Sequence, residues 1–220
     1  MKLFKAKKYV KAAEEGHPKA LAMMAENFLY GYCPNVTKAF EFATRAAEAG
    51  DAGGQLVLGK CYYRGWGTRI DWALALARFQ LCEDDYAAES YKNRGTIYSQ
   101  GGYAVEQDFT AAEDCFHKAA EAGSKESQFK LAGMFYNALG AQRSYAEARK
   151  WYNLAADQNY DPAQFMLGYM LYMGKGASEE NAENAVQKLK GLALIESAAA
   201  QGNAGAKAFI ASKAKRSTTK

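Results

Sequence analysis

Two histidines and four cysteines are the side chains of this 220-residue sequence best suited to chemistry. Cys33, Cys61, Cys82 and Cys115 are spaced by 28, 21 and 33 residues, and His17 and His117 stand a hundred apart. A structural zinc site or a redox dithiol asks for cysteines two to four residues apart, and no such pair occurs. A nucleophile needs a base within hydrogen-bond reach. Cys115 and His117 come nearest, but two residues apart on a helix they face different ways. The paired acids Asp84-Asp85 and Glu179-Glu180 lie in polar, turn-like stretches, where solvation accounts for them. The sequence therefore predicts no catalytic residue, no metal site and no cofactor. Its cysteines read as half-buried free thiols rather than disulfides.

Apolar residues make up 49% and charged residues 24%, the balance of an ordered chain. No run approaches the ~18 apolar residues that a membrane-spanning helix needs, and residues 1–15 are too polar for a signal-peptide core. The net charge of +4 is unevenly held. Residues 1–11 and 207–220 each carry five basic side chains and no acid, which leaves 12–206 with 18 basic and 24 acidic residues. A nucleic-acid binder spreads its basic surface over a folded face, so nucleic acid is not the expected partner.

Twenty glycines against three prolines place the glycines inside regular structure. AAEEG at 12–16 returns as AAEAG at 46–50 and 119–123. Nine residues past each of these glycines stands a small residue, and the series Ala25, Gly59, Gly95, Ala132, Gly168 and Ala211 advances by 34, 36, 37, 36 and 43. Other columns keep step. Ala20, Gly54, Ser90, Ser127, Ala163 and Ala206 precede the small residue by five; Met24, Leu58, Arg94, Leu131 and Leu167 precede it by one. Phe28, Tyr62, Tyr98, Phe135 and Leu171 follow by three; Gly31, Gly65, Gly101, Ala138 and Gly174 follow by six. The offsets −5, −1, 0 and +3 share one helical face, with a small residue where another helix approaches closely. The +6 glycine is a left-handed helix stop. A second helix fills each remaining half and carries Ala39, Ala75, Ala112 or Ala148. Asp161-Pro162 and His17-Pro18 read as caps followed by a first-turn proline.

The segment AAEAGSKESQFKLAGMFYNALGAQRSYAEARKWYNLAA (119–156) resembles a Sel-1-like repeat, a relative of the tetratricopeptide repeat. The resemblance extends over essentially the whole chain. It implies an all-α, right-handed superhelical solenoid of about five helix-turn-helix repeats with partial repeats at both ends, forming one domain over 1–220. The expected pieces are a half-repeat cap at 3–15, repeats at about 16–49, 50–85, 86–122, 123–158 and 159–201, a partial repeat at 202–214 and a basic tail at 215–220. Arg94 departs from its column and calls for distortion or a carboxylate partner, with Asp84 and Asp85 as candidates. The fifth repeat is longer by about seven residues around 174–191, a potential partner-specific surface.

The resemblance further implies that the first helix of each pair lines a concave groove, through offsets −3, +1, +4 and +5. The residues expected there are Glu26, Tyr30, Lys60, Tyr63, Arg64, Lys92, Gln100, Tyr136, Asn137, Tyr169 and Tyr172, with Ala22, Leu56, Phe129 and Phe165 at −3. Lys60, Arg64 and Lys92 make its middle cationic, and the tyrosines make its end aromatic. Tyrosine and arginine are favoured interface anchors, and a peptide with a central carboxylate beside an apolar segment suits them. The expected function is a non-enzymatic, bacterial protein-binding scaffold, an adaptor or regulator. The alternatives are an immunity protein that neutralises a secretion-system toxin, and a binder of glycan or cell-wall fragments. The cysteines point to the cytoplasm; the mid-repeat start points to a processed chain in the periplasm.

Overall fold

A computed structural model describes residues 9–82, 86–140, 142–176 and 185–218 of the chain. Among these residues it forms twelve helices and no strand; a lone bridge pairs Gly102 with Val105. Helix α1 is described over 9–14. It is followed by α2 (Pro18–Tyr30), α3 (Val36–Glu48), α4 (Ala52–Arg64), α5 (Trp72–Gln80), α6 (Ala87–Gln100) and α7 (Phe109–Glu121). Then come α8 (Lys125–Asn137), α9 (Tyr145–Asp157), α10 (Asp161–Tyr172), α11 (Ala185–Ala200) and α12 (Ala204–Thr218). Two compact units divide the chain, residues 1–115 and 116–220.

Most helices begin at a side chain that accepts a backbone amide three residues on. Asn35, Asp51, Asp71, Ser124 and Ser144 take the amides of Lys38, Gly54, Leu74, Ser127 and Glu147, each bond worth about 1 kcal/mol. His17 caps α2 through its backbone alone. The expected cap at Asp161 is corrected: Tyr160 is the cap, and Asp161 opens α10 with Pro162 second. Its carboxylate is taken up by Asn203 Nδ2 at 2.9 Å instead. The +6 stop holds at Gly65 (φ 73°), and even Ala138 adopts the left-handed conformation (φ 60°). Gly31 departs from it, with extended backbone at φ −79°.

In the first unit, the small columns let helices touch. A Cβ on Gly59 would meet the Phe79 ring at 2.6 Å, and one on Gly54 would meet Ala46 at 2.5 Å. Ala39, Ala75 and Ala112 are fully buried. Around these contacts, Val57, Leu58 and Cys61 pack with Ala25, Ala43 and Ala47, while Trp72, Leu76 and Phe79 pack with Ile97. Two of the residues expected to face a groove belong to this interior: Ala22 is 6% and Leu56 3% exposed. Arg94 is half-buried with its guanidinium 5.2 Å from the Tyr91 ring centre, and its Nε lacks a hydrogen-bond partner. Asp84 and Asp85 lie outside the described residues.

In the second unit, α10 and α11 approach through Gly168 and Gly191. A Cβ on either would lie 2.6 Å from the other's carbonyl oxygen. Leu131, Ala132, Ala148, Ala163 and Met170 are also buried in this unit. Phe129 packs against Tyr152 and Tyr160, and Phe165 against Tyr169 and Gly205, so both serve contacts between helices rather than an open surface. Of the long fifth repeat, 177–184, including Glu179-Glu180, lie outside the described residues; so do 1–8 and 219–220.

Candidate functional site

In the first unit, the first helices α2, α4 and α6 present Glu26, Tyr30, Lys60, Tyr63, Arg64, Lys92 and Gln100. Glu26 is exposed, and Tyr30, 60% exposed, meets Trp66 edge-on at 6.1 Å. Partial burial and the neighbouring Glu26 carboxylate raise the Tyr30 phenol above its ordinary value. Lys60 and Lys92 do not stand as free cations. Glu89, at the start of α6, bridges them at 3.4 Å and 2.6 Å. Burial by itself would raise the Glu89 carboxyl, but the hydrogen bond from Lys92 and the charges of both lysines outweigh it and hold it below the usual range.

Beside this ion triad runs an aromatic stack. The Arg64 guanidinium lies 5.1 Å from the Tyr63 ring centre, Tyr63 lies 5.4 Å from Trp72, and Trp72 lies 5.0 Å from Tyr103. Tyr63 donates its hydroxyl to Gln100 Oε1 at 3.0 Å, and Trp72 Nε1 donates to the Tyr63 carbonyl at 3.1 Å. Tyr103 is 57% exposed and sits in a tight turn with Ala104, both at positive φ (48° and 65°). Such backbone costs about 1–3 kcal/mol per residue outside glycine, and here it holds a tyrosine ring on Trp72.

The second unit joins two of its four expected residues. Lys175, two residues past the end of α10's cap, sets its ammonium 4.7, 5.4 and 5.9 Å from the ring centres of Tyr136, Tyr145 and Tyr169, and its Nζ donates to the Tyr136 hydroxyl. Tyr172 is drawn elsewhere: its ring meets Phe209 edge-on at 5.3 Å, with the Lys213 ammonium at 5.5 Å. Asn137 is exposed and turns back on its own helix, donating to the Gly133 carbonyl at 2.9 Å. A cavity of about 520 Å³ opens nearby, with Leu154, Leu167 and Leu171 as its apolar wall and Arg149, Lys150 and Lys190 on its rim.

Burial disfavours the thiolate form of two cysteines. Burial pushes the Cys61 thiol up to about 12 and the Cys82 thiol to about 11. The four cysteines are free, three of them buried and Cys33 exposed, rather than uniformly half-buried. His117 pairs with Glu121 at 3.4 Å and rests against Trp151. Among the described residues no cluster of three metal-ligating side chains occurs, and no helix is long and apolar enough to cross a membrane.

Glu89, Trp66, Trp72, Tyr103, Tyr145 and Lys175 are absent from the groove offsets. One signal would have found two of them. Seven residues after each small position stand Tyr32, Trp66, Gly102, Leu139 and Lys175, and both Trp66 and Lys175 lie on a tyrosine of the preceding repeat.

Stacked helix pairs with small residues inside and aromatic and charged side chains left outside define an α-helical repeat scaffold. The chain belongs to the Sel1 repeat family, matching its repeat at 18–51, 52–77, 88–124, 125–160 and 161–203. This family is a scaffold class, generally non-enzymatic and used in protein interactions. The fold is similar to a protective antigen of uropathogenic Escherichia coli strains displaying an SLR fold (TM-score 0.76, 28% identity over 92% of this chain). This chain spans only 42% of that protein's length. It is also similar to a Sel1 repeat protein from Oxalobacter formigenes (TM-score 0.75, 21% identity, 93% of this chain and 82% of that one). An immunity protein from Pseudomonas aeruginosa shares the fold more distantly (TM-score 0.51, 19% identity, 87% and 68%). Among curated proteins none matches.

Proposed function

We propose that this chain is a non-enzymatic scaffold that binds a segment of a protein partner through the faces of its first helices, as an adaptor or regulator. The observation that carries this reading is the Arg64–Tyr63–Trp72–Tyr103 stack. Arginine and aromatic rings are the side chains that most often anchor interfaces, since they cover large areas with few rotamers to freeze. Here they are ordered in advance, which lowers the entropy lost on binding. Glu89 offsets one of the three positive charges of Lys60, Arg64 and Lys92, so this face keeps a positive balance beside its rings.

The test is selection of peptides from a displayed random library on the full chain, followed by Arg64→Ala and Tyr103→Ala. Each variant is expected to weaken selected peptides by about 1–2 kcal/mol, roughly five- to thirtyfold, with an unchanged melting temperature. Peptides bound equally by both variants would remove the stack from the binding surface. If the natural ligand proves to be one toxic enzyme, silenced on binding, the role is immunity. A response to cell-wall oligosaccharides in place of peptides would move the reading to glycan recognition.

A further inference from the structure

We propose that Lys175, held among three tyrosines of the second unit, is a fixed receptor for a carboxylate on an acidic segment of the protein partner. This rests on the partner-binding reading above and names the chemistry at a different place. The ammonium is attracted by the faces of Tyr136, Tyr145 and Tyr169 and donates one hydrogen bond, to the Tyr136 hydroxyl. Ring faces orient a cation but carry no net charge to cancel it. An ammonium has three donors, so two remain unspent by the phenol. No carboxylate lies within ion-pair distance of Lys175 among the described residues. Lys11, Lys60, Lys92 and Lys150, by contrast, all have a glutamate. On the adjoining helices, Glu147 is paired with Lys150, while Asp157 and Asp161 stand at the opposite ends of α9 and α10.

The backbone that carries this lysine is fixed on both sides. Gly174 and Gly176 flank it at φ 69° and 71°, and a Cβ on Gly176 would lie 2.6 Å from the Tyr145 carbonyl oxygen. The Lys175 amide donates to the Met170 carbonyl at 2.9 Å, and Arg149 Nη1 donates to the Gly176 carbonyl at 2.9 Å. The ring contacts and the hydrogen bond hold the lysine side chain before any ligand arrives, so less of its rotamer freedom is left to lose on binding. Arg149 also belongs to the cationic rim of the neighbouring cavity, whose lining among the described residues is Arg149, Lys150, Lys190 and uncharged side chains. Among the described residues, these side chains favour an anion. The fold itself does not ask for a cation at this repeat position, because Trp66 occupies it in the first unit. A partner's own ammonium would have to displace Lys175 from equivalent contacts, with no net gain. The hydrogen bond to Tyr136 raises the Lys175 pKa, which keeps the charge in place.

The experiment takes peptides selected on the full chain from a displayed random dodecamer library and compares each with a twin in which Glu becomes Gln or Asp becomes Asn. The expected result is an acid enriched at one position, with at least tenfold weaker binding of the amide twin. Lys175→Met should abolish that discrimination at an unchanged melting temperature, and Lys175→Arg should keep part of it. Lys175→Gln serves as a second neutral variant if the methionine form melts early. Twins that bind alike, or discrimination that survives both neutral variants, would overturn the receptor and leave the scaffold reading intact. Peptides enriched in Lys or Arg, bound more tightly by Lys175→Gln, would overturn it in favour of a cage for foreign cations. Failure to select any peptide would overturn both.

Discussion

Glu89 offsets half of the charge that Lys60 and Lys92 would otherwise present. Both lysines were legible because they fall on groove offsets of their helices. The glutamate was not, because it stands in the first turn of α6, ahead of every column, and only the fold brings α4 beside it. Its carboxyl is held below the ordinary value of 4.5. A depressed carboxyl stabilises the folded state above its unfolded pKa, and the gain is lost as pH falls through the lowered folded value. With a side chain 36% exposed, the triad is screened and worth about 0.5–1 kcal/mol. Wild type should therefore exceed Glu89→Gln by that amount in urea melts at pH 7. The gap should close as pH drops below 4.5; a gap constant down to pH 2 would mean the charge contributes nothing. The cysteines make a second residue-scale case. Burial lifts Cys61 and Cys82 far above neutral pH, and Cys115 is buried as well. Ellman's reagent should modify one thiol quickly in native protein and four after unfolding, with Cys33→Ser removing the fast one. Rapid reaction of two or more native thiols would contradict the burial.

At the scale of elements, the small-residue columns were readable because a missing side chain leaves a gap that only another helix can fill. Gly168 and Gly191 bear this out, as does Gly59 under Phe79. Gly168→Ala places a methyl group against the Gly191 carbonyl, a backbone atom that cannot swing aside, and should cost about 2–3 kcal/mol in chemical denaturation. Gly133, in the middle of α8, has only the Tyr152 hydroxyl within 4 Å, at 3.7 Å. Gly133→Ala should therefore gain up to about 1 kcal/mol from helix propensity. Equal effects in the two variants would show that the close approach of α10 and α11 carries no energetic weight. What the columns hid was polar. Gln55, Gln128 and Gln164 stand four residues before the small position and are 5–7% exposed. A search for apolar faces passes over glutamine, although its amide can satisfy the carbonyls left open at the end of a helix. Phe129, Phe165 and Tyr172 are half-buried. Their types suit an interface, and each also sets its ring against an adjoining helix.

For the molecule as a whole, the repeat was the most legible feature. The matched segments start at 18, 52, 88, 125 and 161, advancing by the same first four steps as the small-residue series. Periodicity survives because each repeat must solve the same packing problem against its neighbour. Burial lapses on α12: Ala211 is exposed and Ile210 is 36% exposed, whereas Ala132 and Gly168, at the repeat position of Ala211, are buried. Amides of α12 should accordingly exchange with deuterium at least tenfold faster than those of α10. Equal protection would show that α12 is stabilised by something other than stacking on this chain. The buried glutamines carry a consequence for ancestry. Gln55 Nε2 binds the Ala47 carbonyl at 2.9 Å, and Gln128 Nε2 binds the Ala120 carbonyl at 3.1 Å. Both latch onto a main-chain oxygen, which every residue type supplies. A duplicated or transplanted copy of a repeat thus arrives with its acceptor already in place, and the gene can lengthen or shorten without rewriting the partners on either side of the join.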